Sequence, residues 1–298
     1  MSDTYSFEGR VAVVTGAGRG IGRAHALLLA ERGASVVVND LGGAVDGTGN
    51  DAGPANDVAG EFVAAGGRAI ANTSDISTVE GGQRLIEAAV GAFGRIDIVI
   101  NNAGIMRWAG LPECDVDNLN DHLAVHVLGS FNTVHAAWPH MVEQGFGRIV
   151  MTASAGIFGL LGNLSYATAK AGVIGMTRSL AVNGASHGIK INVIAPAAIT
   201  RMGGRPDPKA PRHMAPDLVA PMVAFLAHES CPVTGEIYAA GAGKFTRIFI
   251  AETPGYVHPD PDPTIEDVAR NWAAINDENG YYVPASLIDW SSHFLPQR

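Results

Sequence analysis

Short apolar segments alternate with helix-length segments along most of this 298-residue chain. Several of the apolar segments have no polar face, which is typical of strands covered by helices on both sides. The alternation predicts an α/β fold with a doubly wound parallel sheet. The predicted strands are Val11–Thr15, Ser35–Asn39, Arg68–Ala71, Ile96–Asn101, Arg148–Ala153, Lys190–Ala195 and Glu236–Ala239. The predicted helices between them are Ile21–Arg32, Pro54–Ala65, Val79–Phe93, Val116–Gln144 and Leu164–Ser186.

Two loop-like segments interrupt this alternation. Gly42–Gly53 is rich in glycine and follows the second predicted strand, and Met202–Pro216 follows the sixth. Both are predicted to lie at the carboxyl ends of strands, where open α/β sheets bind ligands. From about Thr246 the chain is rich in proline and then becomes helical over Ile265–Ile275. We therefore expect one domain over residues 1–245 and a C-terminal extension over residues 246–298, packed on that domain or at a subunit interface.

A glycine-rich motif, TGAGRGIG, directly follows the first predicted strand and opens the first helix. In such a loop Gly16 permits a tight turn, and Gly18 and Gly20 let the backbone approach a pyrophosphate. Gly22 lets the helix pack closely on the strand. The N-terminus of the helix then offers free N–H groups and partial positive charge to the anion. The motif predicts a dinucleotide site in a Rossmann-type sheet.

Asp40 ends the second predicted strand, where an acid can bond the ribose hydroxyls of adenosine. A carboxylate there repels the 2′-phosphate of NADP, whereas Arg19 in the glycine loop attracts it. We give Asp40 more weight, because the repulsion between its carboxylate and a 2′-phosphate is stronger than the attraction of a mobile surface arginine. The predicted cofactor is therefore NAD. Asp75 and Ile76 follow the third strand and are expected at the adenine, with a solvated turn as the alternative for Asp75.

Tyr166 and Lys170 are four residues apart in a predicted helix, so their side chains share one face. A nearby ammonium favours the phenolate and lowers the tyrosine pKa from about 10, which makes Tyr166 a usable proton acceptor. The hydroxyl of Ser154, at the end of the fifth strand region, can hold the substrate oxygen. These residues predict an oxidoreductase that interconverts an alcohol and a ketone, with Tyr166 moving the proton as hydride moves to or from carbon.

Together these motifs resemble the short-chain dehydrogenase/reductase family over residues 9–243. The resemblance implies a single Rossmann-type domain, a nicotinamide cofactor, a Ser–Tyr–Lys catalytic set and a homodimer or homotetramer. The serine–tyrosine spacing is one residue shorter than usual, and Ser154 is chosen because Ala153 has no hydroxyl. Many members have a fourth catalytic residue, an asparagine, and this chain has His126 at that position. His126 either anchors a water relay to Lys170 or is a packed helix histidine. The implied cofactor contacts are Gly16, Gly18, Arg19, Gly20, Ile21, Gly22, Asp40, Asp75, Ile76, Asn102, Ala103, Gly104, Tyr166, Lys170, Pro196, Ile199 and Thr200.

Several segments are similar to a narrower group, the (3R)-hydroxyacyl-CoA dehydrogenase units of peroxisomal multifunctional enzymes of type 2. They include VVVNDLGG at 36–43, VHVLGSF at 125–131, GRIVMTAS at 147–154 and APMVAFLAHESC at 220–231. That group also has histidine at the position of His126. The resemblance implies oxidation of a (3R)-3-hydroxyacyl-CoA with NAD.

The loop after Pro196 is expected to cover the substrate. It contains Arg201, Arg205, Lys209 and Arg212, in a chain with only 20 Lys and Arg residues. These side chains either meet the phosphates of a coenzyme A ester or are solvated loop residues. A hydroxysteroid or other secondary-alcohol dehydrogenase is the first alternative function. A non-catalytic NAD-binding scaffold is the second, although a scaffold has no need of the Ser–Tyr–Lys set.

The formal net charge of −9 argues against nucleic acid or an anionic membrane as the main partner, because both need a basic face. We expect a small-molecule substrate as the partner and no metal site. The polar N-terminus and the lack of a long apolar segment favour a cytoplasmic protein. Two cysteines without a surrounding motif, Cys114 and Cys231, fit a reducing compartment.

Overall fold

The computed structural model describes residues 5–203, 211–259 and 262–295. The chain divides into two compact units between Arg247 and Ile248, near the predicted boundary at residue 245. All predicted site residues belong to the first unit. Among the described helices, none is long and apolar enough to cross a lipid bilayer.

One sheet of eight strands forms the centre of the first unit. Its strands are β1 (Val11–Thr15), β2 (Ser35–Asn39), β3 (Arg68–Asn72), β4 (Ile98–Asn101), β5 (Gly147–Thr152), β6 (Ile189–Ala197), β7 (Ile237–Gly241) and β8 (Lys244–Ile248). They lie in the order β3-β2-β1-β4-β5-β6-β7-β8, and neighbours from β3 to β7 pair in parallel. This confirms the predicted α/β fold. The strand order reverses between β1 and β4, and the crevice at the carboxyl ends of these strands is where such sheets bind ligands.

Strand β8 is not predicted by the sequence pattern. It follows β7 after two residues, Ala242 and Gly243, whose φ angles are both positive, at 53° and 73°. Two-residue turns of this kind join antiparallel strands. The residues of β8 are mostly exposed, so it lacks the continuous apolar character that identifies β1, β2, β4 and β5, in which every residue is buried.

Helices cover both faces of the sheet. They are α1 (Gly20–Glu31), α2 (Gly53–Ala64), α3 (Val79–Phe93), α4 (Val116–His122), α5 (Gly129–Gln144), α6 (Leu164–Gly184) and α7 (Ala220–Ala227). The side chain of Thr78 caps the start of α3, and Gly94 ends it in the left-handed conformation. The predicted helix Val116–Gln144 is continuous, but its centre, Leu123–Leu128, is a π-helix. Such segments widen a helix locally and are frequent at functional sites.

The second unit, from Ile248 onward, contains α8 (Ile265–Arg270), α9 (Trp272–Ile275) and α10 (Leu287–Phe294). Thr264 and Asp267 form a capping box at the start of α8, in which each side chain accepts a hydrogen bond from the other residue's N–H. The predicted helix Ile265–Ile275 is therefore present, but it is divided at Asn271, whose φ and ψ of −101° and 13° are not helical.

Candidate active site

A cavity of about 410 Å³ lies at the carboxyl ends of β1, β2 and β4. Strand β1 leads into the glycine motif, β2 ends before Asp40 and β4 ends before Asn102. The topology of the sheet therefore brings three motifs that are distant in sequence together. Most of the predicted cofactor contacts line this cavity: Gly16, Arg19, Gly20, Ile21, Gly22, Asp40, Asp75, Ile76, Asn102, Ala103, Gly104 and Thr200. Gly18, Tyr166, Lys170, Pro196 and Ile199 lie outside its wall.

The glycine motif is packed so closely that side chains would not fit. Gly16 has a φ of 63°, and a Cβ added there would lie 2.9 Å from the Cα of Ala103. A Cβ added at Gly22 would lie 2.2 Å from the carbonyl oxygen of Gly16. The backbone therefore forms a narrow cradle at the start of α1, where a helix N-terminus favours anions.

Asn102 fastens this cradle to the end of β4. Its side-chain amide donates to the carbonyl oxygen of Thr15 at 2.9 Å, and its backbone N–H donates to the Thr15 hydroxyl at 3.0 Å. The N–H of Ala103 donates to the same hydroxyl at 3.0 Å. Asn102 thus has a structural role, and it also lines the cavity.

Asp40 joins the glycine motif to the loop after β2. Its two carboxylate oxygens accept hydrogen bonds from the N–H of Gly18 at 2.8 Å and from the N–H of Gly42 at 2.7 Å. Gly18 therefore holds this carboxylate instead of lining the cavity. Each carboxylate oxygen keeps a second lone pair for a hydroxyl donor.

Two arginines flank Asp40 at the cavity. Burial, followed by the charge of Arg19, lowers the pKa of Arg201, while Asp40 acts in the opposite direction. One terminal guanidinium nitrogen of Arg19 is buried and has no hydrogen-bond partner in the part of the chain that the structure describes. A buried, unpaired cationic donor beside a glycine cradle fits an anionic ligand such as the pyrophosphate of a dinucleotide.

The loop Gly42–Gly53 forms another wall of the cavity, through Gly43, Ala44, Val45 and Gly47. The N–H of Met106 donates to the Val45 carbonyl oxygen at 2.8 Å, and the Arg107 side chain donates to the Asp46 carbonyl oxygen at 2.7 Å. Arg107 also forms an ion pair with Asp121 of α4. The sequence placed this loop at the correct edge of the sheet, but the residues that fasten it carry no motif.

Ser154, Tyr166 and Lys170 lie together at the start of α6 and the end of β5. Lys170 is buried, and its Nζ atom donates to the carbonyl oxygen of Thr152 at 2.6 Å. Burial lowers the pKa of Lys170 to about 7. Burial also raises the pKa of Tyr166, and the hydrogen bond with Ser154 acts in the other direction. The net shift of the Tyr166 pKa is therefore upward, opposite to the expected lowering, because desolvation of the phenolate is the dominant effect.

His126 lies on the π-helical segment and packs edge-on against the Tyr166 ring, with ring centres 5.2 Å apart. Its Nε2 atom lies 2.9 Å from the carbonyl oxygen of Ile105, and its buried Nδ1 has no partner among the described residues. Burial and then the charge of Lys170 hold the pKa of His126 well below its usual value. His126 is thus a neutral imidazole in contact with Tyr166.

Exposed apolar side chains lie on the two loops that meet just before α6, and we call this group the apolar rim. It consists of the exposed side chains Trp108, Leu111, Phe158, Leu160 and Leu161. The two loops that carry it are joined by a hydrogen bond from the N–H of Ala109 to the carbonyl oxygen of Gly162, at 2.9 Å.

The loop after β6 is held near the site at both of its described ends. Ile199 donates its N–H to the carbonyl oxygen of Met214 at 2.9 Å. Thr200 and Arg201 line the cavity. Arg212 is exposed and forms an ion pair with Asp217. The other two predicted basic residues of this loop, Arg205 and Lys209, lie outside the described residues.

Comparison with known proteins agrees with this geometry. A family profile described as short chain dehydrogenase matches residues 10–207. The peroxisomal multifunctional enzyme type 2 of Drosophila melanogaster is 44% identical over 277 residues, which cover 91% of this chain and 46% of that protein. The chain therefore spans just under half the length of this relative. The solved structure of the fly enzyme has a TM-score of 0.80 with 36% identity, covering 96% of this chain and 49% of the other.

Two further similarities concern proteins of comparable length. The hydroxyacyl-CoA dehydrogenase ChsB1 of Mycobacterium tuberculosis is 38% identical over 268 residues, covering 83% of this chain and 82% of that protein. A solved structure of 7α-hydroxysteroid dehydrogenase, complexed with NADH and 7-oxo glycochenodeoxycholic acid, has a TM-score of 0.73 and 28% identity, covering 82% of this chain and 97% of the other.

Proposed function

This chain belongs to the short-chain dehydrogenase family, and we propose that it oxidises the hydroxyl group of a (3R)-3-hydroxyacyl-CoA with NAD. As a member of that family it is an oxidoreductase that acts on a small-molecule substrate. The observation that supports the proposal best is the cluster of Ser154, Tyr166 and Lys170 beside a glycine cradle and the Asp40 carboxylate. From the family resemblance we also infer a homodimer or homotetramer.

The residues around the cavity fit a nicotinamide dinucleotide. The cradle formed by Gly16 and Gly22 suits the pyrophosphate, and the unpaired nitrogen of Arg19 suits its charge. Asp40 is placed to accept ribose hydroxyls and to repel a 2′-phosphate, which favours NAD over NADP. Thr200, which lines the cavity, is our choice for the nicotinamide amide, with Ile199 and Pro196 shaping the backbone around it.

In this proposal three side chains act on the reacting alcohol. Ser154 donates a hydrogen bond to the substrate oxygen and holds it beside Tyr166. Tyr166 accepts the hydroxyl proton, and it returns that proton in the reverse reaction. Lys170 stands behind Tyr166, where its partial positive charge stabilises the phenolate. The bound cofactor supplies the hydride acceptor.

His126 acts in this scheme as a neutral support for Tyr166. Its edge-on contact fixes the orientation of the phenol ring, and its unpaired Nδ1 can accept a hydrogen bond from a relay water. The hydroxyacyl-CoA substrate is supported by the name of ChsB1 and by the apolar rim, which suits an acyl chain. The same rim suits a hydroxysteroid, and the likeness to 7α-hydroxysteroid dehydrogenase makes that class the second candidate.

The test follows NADH formation from NAD with a (3R)-3-hydroxyacyl-CoA and with a hydroxysteroid, and repeats both with NADP. We expect turnover of the thioester with NAD. Turnover of the steroid alone would retain the catalytic assignment and reject the acyl-CoA substrate. Preference for NADP would reject the role of Asp40. The cytoplasmic location stays a prediction, and the fly relative is peroxisomal by name.

A further inference from the structure

Asn163 is a buried asparagine with no evident structural task for its side chain. It immediately precedes α6 and is only 4% exposed. An asparagine at this position usually caps the helix through its side-chain oxygen, but Asn163 makes no such bond in the described chain. Its Oδ1 atom is buried without any hydrogen-bond partner among the described residues. Leaving a buried amide oxygen unpaired destabilises a folded protein, so this side chain indicates a role other than stabilising the fold.

The backbone of Asn163 is held firmly, so its side chain alone is free to turn. Its N–H donates to the carbonyl oxygen of Leu160 at 3.2 Å, and its carbonyl oxygen accepts from the N–H of Ala167 at 2.9 Å. Asn163 also forms an isolated parallel bridge with Ala109. The residue thus sits where the two loops of the apolar rim meet the first turn of α6.

The amide of Asn163 lies next to the Ser154 hydroxyl and the ring of Tyr166. A Cβ placed on Gly156 would be 2.6 Å from Asn163 Nδ2, 3.3 Å from Ser154 Oγ and 3.7 Å from Cδ1 of Tyr166. These three groups therefore surround the same small volume, which the missing side chain of Gly156 leaves open. A substrate whose hydroxyl oxygen is held by Ser154 therefore has its neighbouring atoms close to the amide of Asn163.

We propose that Asn163 is a specificity-determining residue that binds the carbonyl oxygen of the acyl thioester through its side-chain N–H. This rests on the proposed function. In a 3-hydroxyacyl thioester one methylene group separates the carbinol carbon from the carbonyl carbon. With the carbinol oxygen at Ser154 and Tyr166, the carbonyl oxygen reaches a neighbouring donor. The Nδ2 atom already borders the volume beside Ser154, so its N–H group can donate to the carbonyl oxygen without a change of rotamer.

Asn163 in this role distinguishes a 3-hydroxyacyl thioester from an alcohol without the carbonyl group. A site with a buried amide discriminates strongly against a ligand that leaves the amide unpaired. The apolar rim, by contrast, treats the two compounds alike. Selectivity for the carbonyl therefore resides in this amide, and we expect it to amount to about 10- to 100-fold in kcat/KM.

The experiment compares a (3R)-3-hydroxyacyl-CoA with the matching thioether, in which a CH2 group replaces the carbonyl. We expect Asn163→Leu to reduce kcat/KM for the thioester by about 10- to 100-fold and to leave the thioether unchanged. Asn163→Ala removes the amide without adding a charge and gives the same test if the leucine variant does not fold. Ser165→Ala is the control, because Ser165 is buried two residues further along the same segment and its hydroxyl is paired with Cys114 at 3.1 Å.

Equal losses for thioester and thioether would show a structural role for Asn163 and overturn the proposal. If both Asn163 variants keep the preference of the unmodified protein for the thioester over the thioether, the proposal is overturned as well. Failure of the proposed function has a different signature, since the unmodified protein would then turn over neither compound although it oxidises another secondary alcohol. That result rejects both proposals together.

Discussion

The Nζ atom of Lys170 lies 5.5 Å from the centre of the Tyr166 ring, and burial disfavours the charged form of both side chains. Alcohol oxidation requires Tyr166 without its proton. Because burial raises the pKa of Tyr166, the fraction of phenolate increases with pH across the neutral range. We therefore expect kcat/KM for alcohol oxidation to rise steadily from pH 7 to pH 9, and ketone reduction not to rise. A rate of oxidation that is already constant below pH 7 would contradict this account.

Lys170 lowers stability at neutral pH. Its pKa is about 7 in the folded chain, against 10.5 for an unperturbed lysine, so the unfolded state binds more protons between these values. The penalty is complete below pH 7 and disappears as the pH rises to 10.5, with an upper bound of about 5 kcal/mol. Removing the charge also leaves the Thr152 carbonyl unpaired, which costs about 1–3 kcal/mol. We expect Lys170→Met to increase the free energy of unfolding at pH 7 by about 1–3 kcal/mol and to abolish activity.

Chemical denaturation at pH 7 checks this prediction. Lys190→Met is the control, because Lys190 also donates to a backbone carbonyl, that of Cys231 at 2.5 Å, but is only partly buried. We expect no stabilisation there. A Lys170→Met variant that is less stable than the unmodified protein would show that the hydrogen bond to Thr152 outweighs the desolvation of the charge.

Asp40 is expected to set the choice of cofactor. Replacing it with alanine removes the repulsion of a 2′-phosphate and leaves Arg19 and Arg201 to attract it. We expect Asp40→Ala to shift the ratio of kcat/KM for NADP to that for NAD upward by about 100-fold. Asp57→Ala is the control, since Asp57 is exposed on α2 and does not line the cavity. An equal shift in both variants would mean a general effect of lost negative charge.

His25 makes the fold sensitive to acid. It is completely buried on α1, and burial lowers its pKa to about 3. The unfolded chain takes up a proton near pH 6.5, so the stabilising contribution of the neutral ring is complete above that pH and decreases as the pH falls towards 3. From pH 6.5 to 5 the expected loss from His25 is about 2 kcal/mol. Buried His126 acts in the same direction.

Urea unfolding at pH 5 and pH 7 measures this loss. His25→Leu is expected to reduce the difference between the two pH values by about 2 kcal/mol. The exposed His135 provides a control, and His135→Gln should leave the difference unchanged. If His25→Leu does not alter the pH dependence, the ring is hydrated or paired in solution.

The sequence predicts the parallel sheet because β1, β2, β4 and β5 are buried on both faces and read as continuously apolar. It does not predict β8, whose exposed residues have no such signal. The π-helical turn at Leu123–Leu128 is also invisible, because its hydrogen-bond register depends on packing against α6 and not on local propensity.

Part of the candidate site is likewise predictable from the sequence, and part is not. The glycine motif, Asp40 and the Tyr166–Lys170 pair have fixed spacings and known strand-end positions, so the sequence suffices for them. The fastening of the loop by Arg107 and the unpaired amide of Asn163 depend on contacts between distant segments. The pKa of Tyr166 was mispredicted because spacing identifies a neighbouring charge but gives no information about burial.

The most direct test of the central claim compares turnover and cofactor binding in the unmodified protein and in Tyr166→Phe. The account predicts that oxidation of a (3R)-3-hydroxyacyl-CoA falls by about 10²- to 10⁴-fold, while NAD still binds, because the glycine cradle, Arg19 and Asp40 that hold the dinucleotide are unaltered. Unchanged turnover in Tyr166→Phe would contradict the assignment of Tyr166 as the proton-transferring group.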